Sequence, residues 1–371
     1  MRVLHVSDCY APRTGGIETQ VRDLARAQAA QGHDVHVLTA TAGEHGERGG
    51  LVTDDDGVRV HRLAAPMPFE LPVNPAAPPR MRLLMRGLAP DVVHVHAGVV
   101  SPFAYDGARL ARAERLPLAV TWHCMLDGTV PALRALARLG GWDRAPVALS
   151  AVSSAAADRV REVFGGAVGV VPNGMDLDRW VPGPARTGAR PLRCVATMRL
   201  APRKRGQALL AIVEDAVAQL EPGDLAVDVI GDGPSRAGMT RRLVRRDLVD
   251  IVRLRGRMPR EQVRAEYADA DVFLAPAVLE AFGIAALEAR AAGLVVVARR
   301  GTGIAEFITD GVDGLLVDDD ACMARAIVRL VRDRTLLEGL RAHARVHRPL
   351  QGWDVTLAAA QAEYARAAAL R

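Results

Sequence analysis

The spacing of apolar and polar positions changes period again and again along this chain. Residues 3–7 (Val-Leu-His-Val-Ser) form a short apolar run that predicts a strand. Residues 17–31 carry Val21, Leu24, Ala25 and Ala29 at helical spacing and run into Gly32, a natural helix stop. Strands follow at 35–39 and at 91–96, the latter reading Asp-Val-Val-His-Val-His, and then a helix over roughly 102–113. Strands at 118–121, 148–152 and 168–171 complete the first half. The second half repeats the style, with strands at 193–197, 226–230, 252–255, 272–275 and 294–298 and helices between them. Strand-helix alternation of this kind predicts an α/β fold with parallel, doubly wound sheets, here two in tandem.

The boundary between them falls near Val171-Pro172-Asn173-Gly174, which gives a first domain over 1–172 and a second over 173–354. Residues 182–191, rich in proline, glycine and small side chains, read as a linker. Residues 64–79 hold six prolines and read as an irregular surface loop. The alanine-rich stretch at 356–370 reads as a terminal helix, and the segment 355–371 is expected to pack back on the first domain.

A length of 371 residues suits two cores. The chain opens directly on a strand, and no apolar run reaches the ~18 residues that span a bilayer. A cytoplasmic protein is therefore expected. Mixed basic and apolar stretches at 80–86 and 133–144 allow peripheral contact with the inner face of a membrane. The net charge is +5, but the basic residues are spread out, and no nucleic-acid signature is visible, so nucleic acid is not an expected partner. Cys9, Cys124, Cys194 and Cys322 are scattered, which indicates neither a zinc site nor a disulfide framework and predicts buried free thiols. The Asp-x-Asp runs at 176–178 and 269–271 read as structural, so no metal is expected. Lys204 is the only lysine; the other 47 of the 48 basic residues are arginine. One retained lysine suggests a position that needs a compact ammonium.

Three segments of the second half point to an anionic, hydroxyl-rich ligand. Arg199-Leu200-Ala201-Pro202-Arg203-Lys204 follows a strand and opens a helix, which puts two cations at the carboxyl edge of the sheet, where they suit a diphosphate. Gly231-Asp232-Gly233 follows another strand, and its glycines permit close backbone approach. A dinucleotide fingerprint would want glycine at 236, where Arg236 stands. Glu280-Ala281-Phe282-Gly283-Ile284 leads into a helix that carries Glu288. The N–H groups of Phe282, Gly283 and Ile284 make an anion site, and the two carboxylates can reach different hydroxyls of one ligand. In the first half, Gly15-Gly16 lies between a strand and a helix and allows close approach to a phosphate or a sugar ring.

Glu280 and Glu288 with the intervening Phe-Gly resemble the E-x7-E signature of the retaining family 4 glycosyltransferases. Arg199 and Lys204 resemble that family's phosphate-binding pair, and Gly15-Gly16-Ile17-Glu18 its N-terminal glycine-rich loop. Residues 171–176 resemble its interdomain Pro-Asn-Gly-x-Asp, and residues 301–306 and 310–314 follow in the family's order. Arg205 stands where many relatives have glycine, which bears on the shape of that loop.

The resemblance implies a GT-B fold, two Rossmann-like domains facing each other across a cleft. It implies a metal-independent transfer of a hexose-type sugar, with retention, from a UDP- or GDP-sugar to an acceptor hydroxyl. Arg199 and Lys204 would contact the diphosphate, Glu280 the sugar hydroxyls and Glu288 the ribose. The backbone of Phe282, Gly283 and Ile284 would support sugar and phosphate, with Gly231 and Gly233 alongside and Gly256 beside the base. Gly15, Gly16, His96 and His123 would form the acceptor side, with Gly16 also reaching the donor; His123 would face the sugar in transfer. His94 reads as structural. The nucleotide sugar is then a co-substrate and no cofactor is expected. The acceptor could be a sugar, a lipid or a small metabolite. The competing readings are a pyridoxal-phosphate phosphorylase, an NAD-dependent two-domain oxidoreductase and an inactive nucleotide-sugar-binding protein.

Overall fold

The computed structural model describes residues 1–68, 71–183 and 191–371. Most of the linker expected at 182–191 and two residues of the proline-rich loop lie outside the described residues. The chain divides into two compact units, Met1–Gly174 with Gln351–Arg371, and Met175–Leu350.

In the first unit the strands are β1 (Arg2–Ser7), β2 (Asp34–Thr39), β3 (Leu51–Asp54), β4 (Arg59–Arg62), β5 (Val92–Ala97), β6 (Leu118–Trp122), β7 (Ala148–Ala151) and β8 (Val168–Val170). They form one sheet in the order β3-β4-β2-β1-β5-β6-β7-β8. The expected all-parallel sheet needs correction at one edge, because β3 pairs antiparallel with β4. β3 is mostly exposed, and an exposed edge strand carries little of the apolar run that reveals buried parallel strands.

Helices α1 (Gly16–Ala30), α2 (Pro78–Leu88), α3 (Pro102–Ala113), α4 (Val130–Leu139) and α5 (Ser154–Phe164) connect these strands. The expected loop at 64–79 therefore ends in the first turn of α2, where Pro78 and Pro79 occupy positions whose N–H would be unpaired in any case.

The second unit has β9 (Leu192–Thr197), α6 (Gly206–Val217), β10 (Leu225–Ile230), α7 (Arg236–Arg245), β11 (Val252–Gly256), α8 (Arg260–Ala268) and β12 (Val272–Ala275). It continues with α9 (Ile284–Ala291), β13 (Val295–Arg299), β14 (Gly314–Val317), α10 (Asp320–Arg332) and α11 (Arg334–Val346). Its sheet order is β11-β10-β9-β12-β13-β14, and every pairing is parallel. Its apolar core includes Leu192, Leu209, Val227, Val272, Val295 and Ile327.

The last helix, α12 (Trp353–Ala369), belongs to the first unit. Ala360, Tyr364 and Ala367 bury against Val3, Val92, Ala119 and Ala148 on β1, β5, β6 and β7.

Each sheet has a switch point where the strand order reverses, between β1 and β5 in the first unit and between β9 and β12 in the second. Loops leaving the carboxyl ends of such neighbouring strands splay apart and leave room for a ligand.

Candidate functional site

The loops after β9 and β12 flank the switch point of the second unit. After β9 the chain runs through a 3-10 turn, Pro202–Lys204, into α6. After β12 it passes Glu280 and enters α9 through Gly283, whose φ of 90° makes it the left-handed residue that opens the helix. Lys204 Nζ donates to Glu280 Oε2 in a close, part-buried ion pair. The sole lysine and the first glutamate of the motif therefore meet across 76 residues of sequence. Arg199 is exposed on the same loop as Lys204, and its guanidinium has no ion-pair partner among the described residues. The first N–H groups of α9 have no intrahelical acceptor, which adds a partial positive charge next to Glu280.

Glu288 is buried on α9 at 8% exposure, with Arg260 Nε 3.7 Å from its Oε1. The hydroxyl of Tyr267, itself fully buried, donates to Thr197 Oγ1 at 2.9 Å, and burial raises its pKa well above the ordinary value, with the charge of Glu288 acting in the same direction. Phe282 is buried against Phe307. Its side chain therefore anchors the loop, and only the backbone of Phe282, Gly283 and Ile284 faces the helix entrance.

The glycines of the second unit have a packing requirement of their own. A Cβ on Gly231 would stand 1.9 Å from Met198 O, and one on Gly233 would stand 2.7 Å from Leu200 O. The two loops are laced together by Met198 N to Ile230 O at 3.0 Å and Leu200 N to Asp232 O at 2.9 Å. Gly231 and Gly233 thus fit the loop after β10 against the loop that carries Arg199. Gly256 ends β11 at φ 79°, and its carbonyl accepts from Gly231 N at 2.7 Å. Arg205, where the resemblance leads one to expect glycine, takes the left-handed conformation at φ 61°. Its guanidinium is held by Asp320 at 2.8 and 2.6 Å and by Pro276 O at 2.9 Å, so an arginine secures a backbone shape that glycine would adopt freely.

In the first unit the carboxyl ends of β1, β5 and β6 bring together residues the sequence separates. His5 and His94 are register partners, as are Ser7 and His96, and side chains two apart on a strand share a face. His5, His94 and His96 therefore line one face of the sheet, and His123 sits just past β6. His96 Nδ1 lies 3.0 Å from His123 Nε2. His123, part-exposed, lines a small cavity with Gln20, His96, Thr121 and Asn173. Burial pushes His123 and His5 down to about 4 and His94 and His96 well below the ordinary histidine value, so all four rings are neutral.

Asp8, just after β1, accepts from Phe103 N at 3.1 Å and Ala104 N at 3.3 Å and so caps α3. Burial pushes its carboxyl up to about 6 despite those bonds. Gly15 is extended at φ 179°, a conformation open to any residue, and Gly16 is the first residue of α1. The backbone at Gly15 does not by itself require glycine.

Of the four cysteines only Cys194 is buried, so buried thiols hold for that one alone. The Asp-x-Asp runs are occupied structurally. Asp176 caps a 3-10 turn, and Asp271 accepts from Arg193 N at 2.9 Å and pairs with Arg341 at 3.2 Å. The site reading from sequence missed His5, Gln28 and Tyr364, which hold the histidine cluster, and Asp320, which holds Arg205. His5 had a signal, its alternation with Val6 on an apolar strand. Tyr364, on a helix near the end of the chain, had none.

Two family descriptions match the chain in succession: Glycosyltransferase Family 4 over residues 14–179 and Glycosyl transferases group 1 over residues 191–333. The chain is 31% identical to a GDP-mannose-dependent alpha-(1-6)-phosphatidylinositol monomannoside mannosyltransferase of Mycobacterium tuberculosis, over 98% of each chain. It is 29% identical to a D-inositol 3-phosphate glycosyltransferase of Streptomyces bingchenggensis, over 99% of this chain and 89% of the relative. Among solved structures, Anabaena HepE in complex with UDP and glucose superposes with a TM-score of 0.75 at 19% identity, over 98% of this chain and 99% of that one.

Proposed function

The chain belongs to glycosyltransferase family 4, with the GT-B fold, and is a hexosyltransferase; from that premise we propose a metal-independent transfer, with retention, from a UDP- or GDP-sugar to an acceptor hydroxyl. The observation that carries this reading is the Lys204–Glu280 ion pair at the switch point of the second unit, with Arg199 exposed on the same loop. In the free protein Glu280 neutralises the ammonium. A bound diphosphate takes Lys204 and Arg199 as its countercharges, and Glu280 is released to accept from hydroxyls of the transferred sugar. Glu288 is assigned to the ribose. As the bond from sugar C1 to the β-phosphate oxygen breaks, its electron pair moves to that oxygen. Lys204, Arg199 and the N–H groups at the start of α9 stabilise the charge. The acceptor oxygen bonds to C1 on the same face, and its proton passes to the departing phosphate oxygen. Two side-chain cations then do the charge work that a divalent metal does elsewhere, and no cofactor is needed.

The name of the M. tuberculosis relative makes GDP-mannose the first donor to try and an inositol-bearing lipid or phosphate the first acceptor class. No helix among the described residues is long and apolar enough to cross a membrane. Peripheral contact at the inner face of an anionic membrane is assigned to α4, where Leu136 and Leu139 are exposed beside Arg134 and Arg138.

The experiment is a thermal-shift panel of UDP, GDP and their sugars, followed by a transfer assay with and without chelator and by NMR of the product's anomeric centre. Stabilisation by one nucleotide, turnover that survives the chelator, retained configuration and loss of turnover in Glu280→Ala are expected. An inverted product or chelator-sensitive turnover would overturn the mechanism, and nucleotide binding without turnover would favour a binding protein.

A further inference from the structure

A continuous hydrogen-bond chain runs through the first unit behind His123. His123 Nε2 is 3.0 Å from His96 Nδ1, His96 Nε2 is 2.9 Å from His5 Nδ1, and His5 Nε2 is 2.7 Å from Gln28 Oε1. Gln28 Nε2 donates to the Tyr364 hydroxyl at 2.8 Å, and that hydroxyl lies 2.9 Å from His94 Nδ1. His94 Nε2 is 2.7 Å from Thr121 Oγ1, which is 2.8 Å from Ser150 Oγ, and Ser150 donates to the Val120 carbonyl at 3.4 Å.

A neutral imidazole has one N–H and one lone pair, so each ring hands the donor direction to the next. Two separate features set that direction. A carbonyl only accepts, so Ser150 commits its one proton to Val120. Thr121 must then donate to Ser150, His94 Nε2–H to Thr121, and Tyr364 to His94 Nδ1. Independently, Gln28 turns its oxygen to His5 and its nitrogen to Tyr364, which demands the same sense. Followed to its end, the chain puts a proton on Nε2 of His5, His96 and His123. His123 Nδ1 is left as a lone pair, and no donor reaches it among the described residues.

We propose that this chain locks His123 as the Nε2–H tautomer, so that its Nδ1 is a dedicated acceptor that takes a ligand hydroxyl and rejects phosphate and carboxylate oxygens. This rests on the sugar-transfer reading, in which that hydroxyl belongs to the sugar or the acceptor. His5, Gln28 and Tyr364 are then positioning residues that act through His123 from as far away as α12. The same geometry argues against a metal among His5, His94 and His96. One nitrogen from each lies within 4.8 Å of the others, but both nitrogens of each ring are already in hydrogen bonds that a metal would have to break.

Long-range proton–nitrogen correlation NMR on the full chain, labelled with 15N at histidine and recorded near neutral pH, reads the tautomers directly. His5, His94, His96 and His123 are expected neutral, with Nε2 protonated and Nδ1 bare, and unchanged by added zinc. Tyr364→Phe removes one link and lets the Gln28 amide turn over, so His123 should show mixed tautomers. Ser150→Ala releases the other end and should do the same at His94. A wild-type His123 with its proton on Nδ1 overturns the proposal. So does a zinc-dependent shift of these rings, or a His123 signal that Tyr364→Phe leaves unmoved. The spectrum does not depend on turnover, so the expected tautomers in a protein that transfers no sugar would sink the enzymatic reading and leave the lock standing.

Discussion

Lys204 and Glu280 meet in an ion pair whose members, on the proposed reading, take opposite duties once a nucleotide binds. The diphosphate would then draw on the ammonium, and the carboxylate would compete with it for that ammonium. The two side chains are 23% and 19% exposed, so water weakens the pair without removing it. Lys204→Met should weaken binding of the plain nucleoside diphosphate by about tenfold to a hundredfold, the worth of one charge-assisted bond to phosphate. Glu280→Gln should leave that binding unchanged or tighten it severalfold, since the ammonium no longer has a competing anion, while sugar transfer is lost. Calorimetric titration with UDP and GDP reads both effects, and equal weakening in the two variants would contradict the exchange. Each residue was legible from sequence as a candidate because both lie on short loops at strand ends, where chemistry and position coincide; their meeting across 76 residues was not. The chain from His123 to Ser150 was not legible. Its histidines come together only through strand register, and Tyr364 reaches His94 from 270 residues away. Local spacing carries no trace of either.

At the scale of elements, the loop between β9 and α6 shows how a departure from the family pattern is absorbed. A non-glycine residue in the left-handed region costs about 1 kcal/mol. Arg205 offsets this through its paired bonds to Asp320 and its bond to Pro276 O, which tie the loop to the start of α10 and to the end of β12. Arg205→Ala keeps the strain and loses the ties, and should destabilise the second unit by about 1–2 kcal/mol. Arg205→Gly loses the ties and relieves the strain, and should come out close to wild type. Denaturant titration ranks the three proteins, and an alanine variant as stable as the glycine variant would remove the argument.

The neighbouring loop has no such freedom. With φ at 130° and a Cβ position 1.9 Å from Met198 O, Gly231→Ala should cost on the order of 2–4 kcal/mol and displace the segment bearing Arg199. The sequence singled out Gly231 for close backbone approach, and the structure shows one such approach, the packing of its Cα against Met198 O. The same scale explains the missed strands. These are β3, β4 and β14: β3 is mostly exposed, β4 has an arginine at each end of Val60 and His61, and β14 opens on Gly314 and offers only three apolar side chains, so none presents the apolar run that marks the other strands.

For the whole molecule, the histidines whose pKa burial depresses all lie in the first unit, and that gives the two units different responses to acid. Burial lowers His5, His61 and His123 from 6.5 to about 4, and His94 and His96 well below 6.5. A ring that is neutral when folded and basic when unfolded contributes stability in full above 6.5. That contribution is lost as the pH falls from 6.5 toward 4, because the unfolded chain binds the extra protons. Asp8 works in the opposite sense. Its carboxyl is raised by burial from 3.8 to about 6, so the stability it contributes is present below 3.8 and lost as the pH rises through about 6. These five histidines, with His33 and His36 also lowered by burial, outweigh one carboxyl over the shared window, and each net proton is worth about 1.4 kcal/mol per pH unit. Asp55, held down to about 2 by its arginine and tyrosine hydrogen bonds against the pull of burial, loses its contribution only below 3.8, outside that window. The thermal transition of the first unit should therefore fall steeply between about pH 6.5 and pH 4, with net uptake of several protons on unfolding. Scanning calorimetry across that range, followed by hydrogen exchange to assign the transition to Met1–Gly174 with α12, tests this. A first-unit transition that stays level to pH 4 would mean that the buried rings are already charged, or are not buried, in the folded protein.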